Sequence, residues 1–127
     1  MLGTAKAFSS FAVDDLTAAK TFYSQTLGLR VSEEHGRPLR LQIEGARDIL
    51  VYPKPDHTPA TFTILNFPVD DIDQAVDELT ARGARIQHYE RPKTDSKGIY
   101  RVQDHSIAWF TDPAGNVLSV VQEYPSR

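Results

Sequence analysis

The chain has no cysteine in its 127 residues. Disulfides, thiolate nucleophiles and cysteine-based zinc sites are therefore excluded, and a reducing, cytoplasmic setting is the expectation. A basic run is also missing. Lys and Arg number 14 against 17 Asp and Glu, for a net charge of -3. The densest basic cluster, around Arg82 and Arg85, is too sparse to neutralise a series of phosphates, so nucleic acid is not an expected partner. No apolar run approaches the ~20 residues of a membrane span. The opening Met1-Leu2-Gly3-Thr4-Ala5-Lys6 has no charged segment followed by an apolar one, so neither a membrane nor a secretory leader is expected. Gly-rich phosphate loops, His-Glu-x-x-His and groupings of the Ser-His-Asp or Cys-His kind are absent too, and no catalytic residue is assigned. What remains is 40% hydrophobic and 24% charged, ordinary for a globular protein of one domain's length.

Within that plain composition lies a repeat. Phe11-Ala12-Val13-Asp14-Asp15-Leu16-Thr17-Ala18-Ala19 returns as Phe67-Pro68-Val69-Asp70-Asp71-Ile72-Asp73-Gln74-Ala75. A glycine follows each copy at nearly the same distance, Gly28 and Gly83. Two long units are too few for a stacked solenoid. They fit paired half-folds, module one 1–56 and module two 61–127, building a single domain around a shared cleft.

Each copy reads as a strand turning into a helix. A first strand is expected over 5–13. Asp15 and Asp71 are placed to cap the helix N-termini, and this explains the acidic pairs better than catalysis does. Leu16, Ala19 and Tyr23, with Phe22 alongside, then Ile72, Ala75, Val76 and Leu79, supply apolar stripes at helical spacing. Gly28 and Gly83 end the helices. Strand-like runs follow at 29–34, 39–44 and 48–52, and again at 84–90, 106–111 and 117–122. Asp112-Pro113-Ala114-Gly115-Asn116 is expected to turn the last two into a hairpin. The stretch 90–105 is irregular, with Tyr100-Arg101-Val102 either a short strand or an ordered loop. The pattern is βαβββ repeated once, an α+β domain.

On these residues the chain resembles the vicinal-oxygen-chelate superfamily, which includes glyoxalase I, extradiol dioxygenases, and fosfomycin- and bleomycin-resistance proteins. Val13-Asp14-Asp15, Phe22-Tyr23 with Leu27-Gly28-Leu29, Val69-Asp70-Asp71 and Phe110 to Asn116 carry the resemblance, which spans nearly the whole chain. It implies a curved mixed sheet around a cleft with helices outside, and a homodimer. Metal-dependent relatives place one ligand on each of four strands. The matching positions here are Phe8, Leu50 or Val51, Ile64 and Ser119, which lack imidazole nitrogen or carboxylate oxygen. No metal and no cofactor is expected at a family-type site. His35, His57, His88 and His105 fall in separate segments, and only His105 is retained as a candidate.

Strand alternation then selects the cleft lining. Phe8 with Ser10, and Phe62 with Ile64 and Asn66, are expected to face inward, as are Trp109, Thr111 and Ser119, with His105 at the entrance. Arg40 faces either cleft or solvent. Aromatic walls with a few neutral hydrogen-bonding groups suit a small, flat or amphipathic molecule. The alternative is that these side chains fill the cleft themselves or form a dimer interface. The leading expectation is metal-independent binding of such a molecule, of the bleomycin-resistance type. The alternatives are a glyoxalase-type lyase or a dioxygenase with a non-standard site, and an interaction module with a vestigial cleft; an acid/base pair of His105 with Glu90 or Tyr100 would suit a metal-free isomerase or lyase.

Overall fold

Asp15 and Asp71 each begin a helix, as the doubled motif requires. The Asp15 carboxylate accepts from the Ala18 N–H at 3.1 Å, and Asp71 accepts from the Gln74 N–H at 3.1 Å. In the computed structural model, residues 1–34 and 37–124 are described. They divide into two compact units, Met1–His57 and Thr58–Arg127.

In the first unit, β1 (Ser10–Val13) leads into α1 (Leu16–Thr21), followed by β2 (Arg30–Glu33), β3 (Leu39–Gln42) and β4 (Ile49–Pro53). The helix does not stay regular to Gly28. From Phe22 to Thr26 it widens into a π-helical turn, with the Leu27 N–H reaching back to the Phe22 carbonyl. The strand order is β1-β4-β3-β2, with β1 and β4 parallel and the other pairs antiparallel. Leu39, Leu41, Ile49, Val51 and Val13 bury one face of this sheet together with Ala19, Phe22 and Tyr23.

The first strand is shorter than expected. It begins at Ser10, with only a 3-10 turn at Leu2–Thr4 before it. A strand exists only where a partner satisfies its backbone. The ladder to β4 reaches back no further than the Ser9 carbonyl, which accepts from the Leu50 N–H.

The second unit repeats the topology. β5 (Thr63–Pro68) and α2 (Ile72–Ala81) are followed by β6 (Arg85–Ile86), β7 (Ile99–Arg101), β8 (His105–Thr111) and β9 (Val117–Glu123). The order is β5-β9-β8-β6, again with the outer pair β5 and β9 parallel. Strand β7 is additional and pairs antiparallel with β8, so the run around Tyr100 is a strand and not a loop. The expected strand over 84–90 contracts to Arg85–Ile86, and Glu90 turns back to bridge Lys93.

Along β8 burial alternates strictly. Ser106, Ala108 and Phe110 are buried; His105, Ile107, Trp109 and Thr111 are half-buried. Phe110, Ala108, Leu118, Val120 and Ile99 bury one face together with Ile72, Val76 and Leu79 of α2, which packs on β9, β8 and β6. Burying each such aliphatic side chain is worth about 1.5–3 kcal/mol, so this layer fixes which face of the sheet is left over. The mixed helix and strand content is the expected α+β class. Among the described residues, no helix is long and apolar enough to cross a membrane.

Candidate functional site

The face of the second sheet opposite α2 carries one ordered row. Asn66 on β5 is in register with Ser119 on β9, and Ser119 with Trp109 on β8. The Ser119 hydroxyl donates to the Asn66 side-chain oxygen. The Trp109 indole N–H donates to the Thr63 hydroxyl at 3.0 Å. Two further rings brace the indole. Tyr89 meets it edge-on with centroids 5.4 Å apart, and Tyr100 stacks at 6.3 Å with the planes 26° apart. Trp109 stays half-buried in this setting. The result is a π surface held by a hydrogen bond and two rings, with hydroxyl and amide groups beside it.

The other candidates fall less regularly. Thr111 lies on the same side of β8 and pairs with Val117. Ile64 sits where the β5–β9 register shifts between Thr63 and Leu65, so alternation from Asn66 back to Ile64 and Phe62 does not hold. Phe62 lies before the strand and is 69% exposed. His105 opens β8, and its Nδ1 meets the Asp104 carboxylate at 2.8 Å. That hydrogen bond holds the Asp104 carboxyl below its usual range. Its hydrogen-bond partner is thus neither Glu90 nor Tyr100. His35 lies outside the described residues.

The first unit carries an equivalent row. Ser10 pairs with Leu50, Leu50 with Arg40, and Arg40 with Ser32. The matching topologies put Ser10, Leu50 and Arg40 where the second unit has Asn66, Ser119 and Trp109. Two depressions border this row. One of about 490 Å³ is lined by Phe8, Arg40, Ala46, Arg47, Asp48 and Leu50. The other, of about 300 Å³, is lined by Ser32, Glu34, Arg37, Pro38, Arg40 and Leu50. Phe8 precedes β1, so strand parity does not govern it; it is 56% exposed and its ring lies under the Arg47 guanidinium at 5.6 Å. Arg40 lines both depressions.

At the ligand positions implied by the resemblance, the donor chemistry is wrong for a cation. Val51 is fully buried on the opposite face, which leaves Leu50 for the second position. Phe8, Leu50 and Ile64 have no donor atom, and the Ser119 hydroxyl is already engaged with Asn66. A divalent cation needs several nitrogen or oxygen ligands, and these four positions do not fit one. Among the described residues, no three His, Asp or Glu side chains gather to hold a metal.

Thr63, Tyr89 and Arg47 are not legible from sequence as members of these faces. Thr63 depends on the bulge, Tyr89 on a short irregular return after β6, and Arg47 on a loop. Tyr100, open between strand and loop in the sequence, is resolved by its pairing with Ile107 and its stacking on Trp109.

A family model described as the Glyoxalase/Bleomycin resistance protein/Dioxygenase superfamily matches residues 7–120. No curated protein matches the chain significantly. Among solved structures, TnmS3, an antibiotic binding protein from Streptomyces sp. CB03234, is 26% identical, with 97% of this chain and 98% of that one covered and a TM-score of 0.74. A glyoxalase/bleomycin resistance protein from the same Streptomyces is 27% identical over 91% of this chain and 98% of that one, at a TM-score of 0.65. The fosfomycin resistance protein FosX from Listeria monocytogenes is 14% identical, covers 91% and 90%, and has a TM-score of 0.71, a likeness of fold.

Proposed function

The chain belongs to the Glyoxalase/Bleomycin resistance protein/Dioxygenase superfamily, and from that premise we propose that it binds a small aromatic or amphipathic molecule without a metal, in the manner of a sequestering resistance protein. One observation carries the reading. Trp109 is fixed by Thr63, Tyr89 and Tyr100, yet is only half-buried on the sheet face that α2 leaves uncovered. A ring oriented before binding loses little freedom when a flat ligand stacks on it. Asn66 and Thr111 beside it supply hydrogen bonds that orient the ligand. The antibiotic-binding activity of the 26% identical TnmS3 is consistent with this class of ligand.

Trp109 is the single tryptophan, so fluorescence excited selectively at the indole reports on this face. Titration with planar antibiotics and aromatic metabolites should quench it saturably, with a parallel rise in melting temperature that chelators leave unchanged. Trp109→Ala should abolish the thermal shift. Ligands that stabilise the wild type and Trp109→Ala equally would sink the reading. Stoichiometric Zn, Ni, Mn or Fe in protein purified without chelators, together with lyase or dioxygenase activity, would replace it with the enzymatic alternative.

The same proposal includes a cytoplasmic homodimer. Within their own sheets, β1, β2, β5 and β6 end as edges, and unpaired edges favour pairing with another chain. Sedimentation equilibrium at micromolar concentration gives the assembly state directly.

A further inference from the structure

We infer that the Arg40 depressions of the first unit take the carboxylate of a singly charged organic ligand, an inference resting on the reading that this chain binds a small molecule.

Three guanidinium groups line the two depressions, and they are not equivalent. Arg47 donates to the Lys6 carbonyl at 2.6 Å and covers the Phe8 ring. Arg37 lies 3.5 Å from the Glu34 carboxylate. The Arg40 guanidinium makes no hydrogen bond or ion pair among the described residues. The Arg40 backbone, with the side chain exposed, is nonetheless fixed from below. It lies between Leu39 and Leu41, which are fully buried on the other face, and is in register with Leu50 on one side and Ser32 on the other. A planar fork of N–H groups on a rigid strand suits two-point binding of a carboxylate.

The surroundings select the charge. Glu34 and Asp48 share the lining with Arg37, Arg40 and Arg47, which leaves an excess of a single positive charge. One negative charge balances that excess, whereas a dianionic phosphate would meet two carboxylates close by. Leu50 lines both depressions and Phe8 one of them, giving apolar contact to a hydrocarbon body attached to the acid. The occupant is therefore an amphipathic monoanion.

The test compares 2-naphthoate with 2-naphthamide, which share a body and differ in charge. The full chain labelled with 15N is titrated by NMR, as wild type, Arg40→Gln and Arg40→Lys. Naphthoate should bind about tenfold more tightly than the amide, a difference of one charge-assisted contact. Its shifts should centre on the amides of Leu39 to Leu41 and Asp48 to Leu50. Arg40→Gln should bring naphthoate down to the amide's affinity, and Arg40→Lys should fall between. Equal affinities in the wild type would overturn the inference without reliance on any variant, as would the absence of binding. Naphthoate shifts confined to Trp109 and its neighbours, indifferent to Arg40→Gln, would overturn it while leaving the Trp109 reading intact. Shifts at Arg40 with no ligand in any panel disturbing Trp109 would support it and remove the Trp109 site.

Discussion

Ser119 donates its hydroxyl to Asn66 across the parallel β5–β9 pair, and the two residues differ in exposure: Ser119 is fully buried, Asn66 exposed. Removing the two partners is therefore not symmetric. Asn66→Ala leaves a buried hydroxyl without its acceptor, a cost of about 1–3 kcal/mol. Ser119→Ala leaves an amide that water can reach, and should cost about 1 kcal/mol or less. Urea denaturation of both variants should place Asn66→Ala as the less stable. The reverse order would mean that Ser119 has another acceptor in solution.

The alternation that sets this pair on one face is legible in the sequence, because β8 and β9 are long and their neighbours on both sides continue the ladder. Alternation along β9 puts Leu118 and Val120 on one face and Ser119, bonded to Asn66, on the other. Parity fails where it is carried past a strand's end or through a bulge. Phe8 and Phe62 precede their strands, and Ile64 stands at the β5 register shift, so alternation has no hold on them. A strand's end is set by how far its partner extends, which is a non-local property. Tyr100 is assignable only through β7, whose partner β8 fixes its face. The donor chemistry at the four positions that the family resemblance implies, by contrast, does not depend on register: Phe, Leu and Ile have no donor atom on either face.

Asp112 shows how the hairpin motif works. It is 2% exposed and accepts from the Ala114 N–H at 3.0 Å, the Asn116 N–H at 2.9 Å and the Asn116 side-chain amide at 3.0 Å. Asp112→Ala orphans these donors in a buried turn and should cost about 3 kcal/mol or more. Asp71→Ala removes an exposed helix cap and should cost about 1 kcal/mol. Thermal or chemical denaturation of the two separates a buried acceptor from a surface cap. Equal losses would show that Asp112 is not the organiser of the β8–β9 turn.

Acid should act on the network joining α2 to β7. Arg101 bonds Asp73 and Asp95, and Lys97 pairs with Asp73 and Asp77. Hydrogen bonds from Arg101, then Lys97, hold the Asp73 carboxyl below its ordinary 3.8. At Asp95 partial burial pushes upward, but the Ile99 N–H, Arg101 and the Lys97 N–H together outweigh it and the carboxyl is lowered. Carboxyls lowered on folding stabilise the protein above their unfolded pKa, and that gain disappears as pH falls through the folded value. The melting temperature should thus hold from about pH 7 to about pH 5 and fall below about pH 4. Arg101→Gln should start lower and lose less across the acid limb, with salt narrowing the difference because these groups stay partly open to solvent. Melting curves that run parallel in wild type and variant would remove the network from the acid response.

Gly98 links that network to Trp109. Its φ of 89° lies in the left-handed region, and a Cβ there would collide with Ile86 Cγ2 and lie 3.2 Å from the Gln87 carbonyl. Gly45, at φ 82°, has open space around it. Alanine at either site incurs the left-handed cost of about 1–2 kcal/mol, but only at Gly98 must the Ile86 side chain of β6 also give way, for a further ~1–3 kcal/mol typical of overpacking. The Gln87 N–H donates to the Trp109 carbonyl at 2.8 Å, so a shift of Ile86 and Gln87 would be transmitted to the strand that holds the indole. Gly98→Ala should be less stable than Gly45→Ala by about 2 kcal/mol and should shift the Trp109 emission maximum, which Gly45→Ala leaves in place. If Gly98→Ala lost stability with the emission unchanged, the loop would be coupled to the core but not to the Trp109 face.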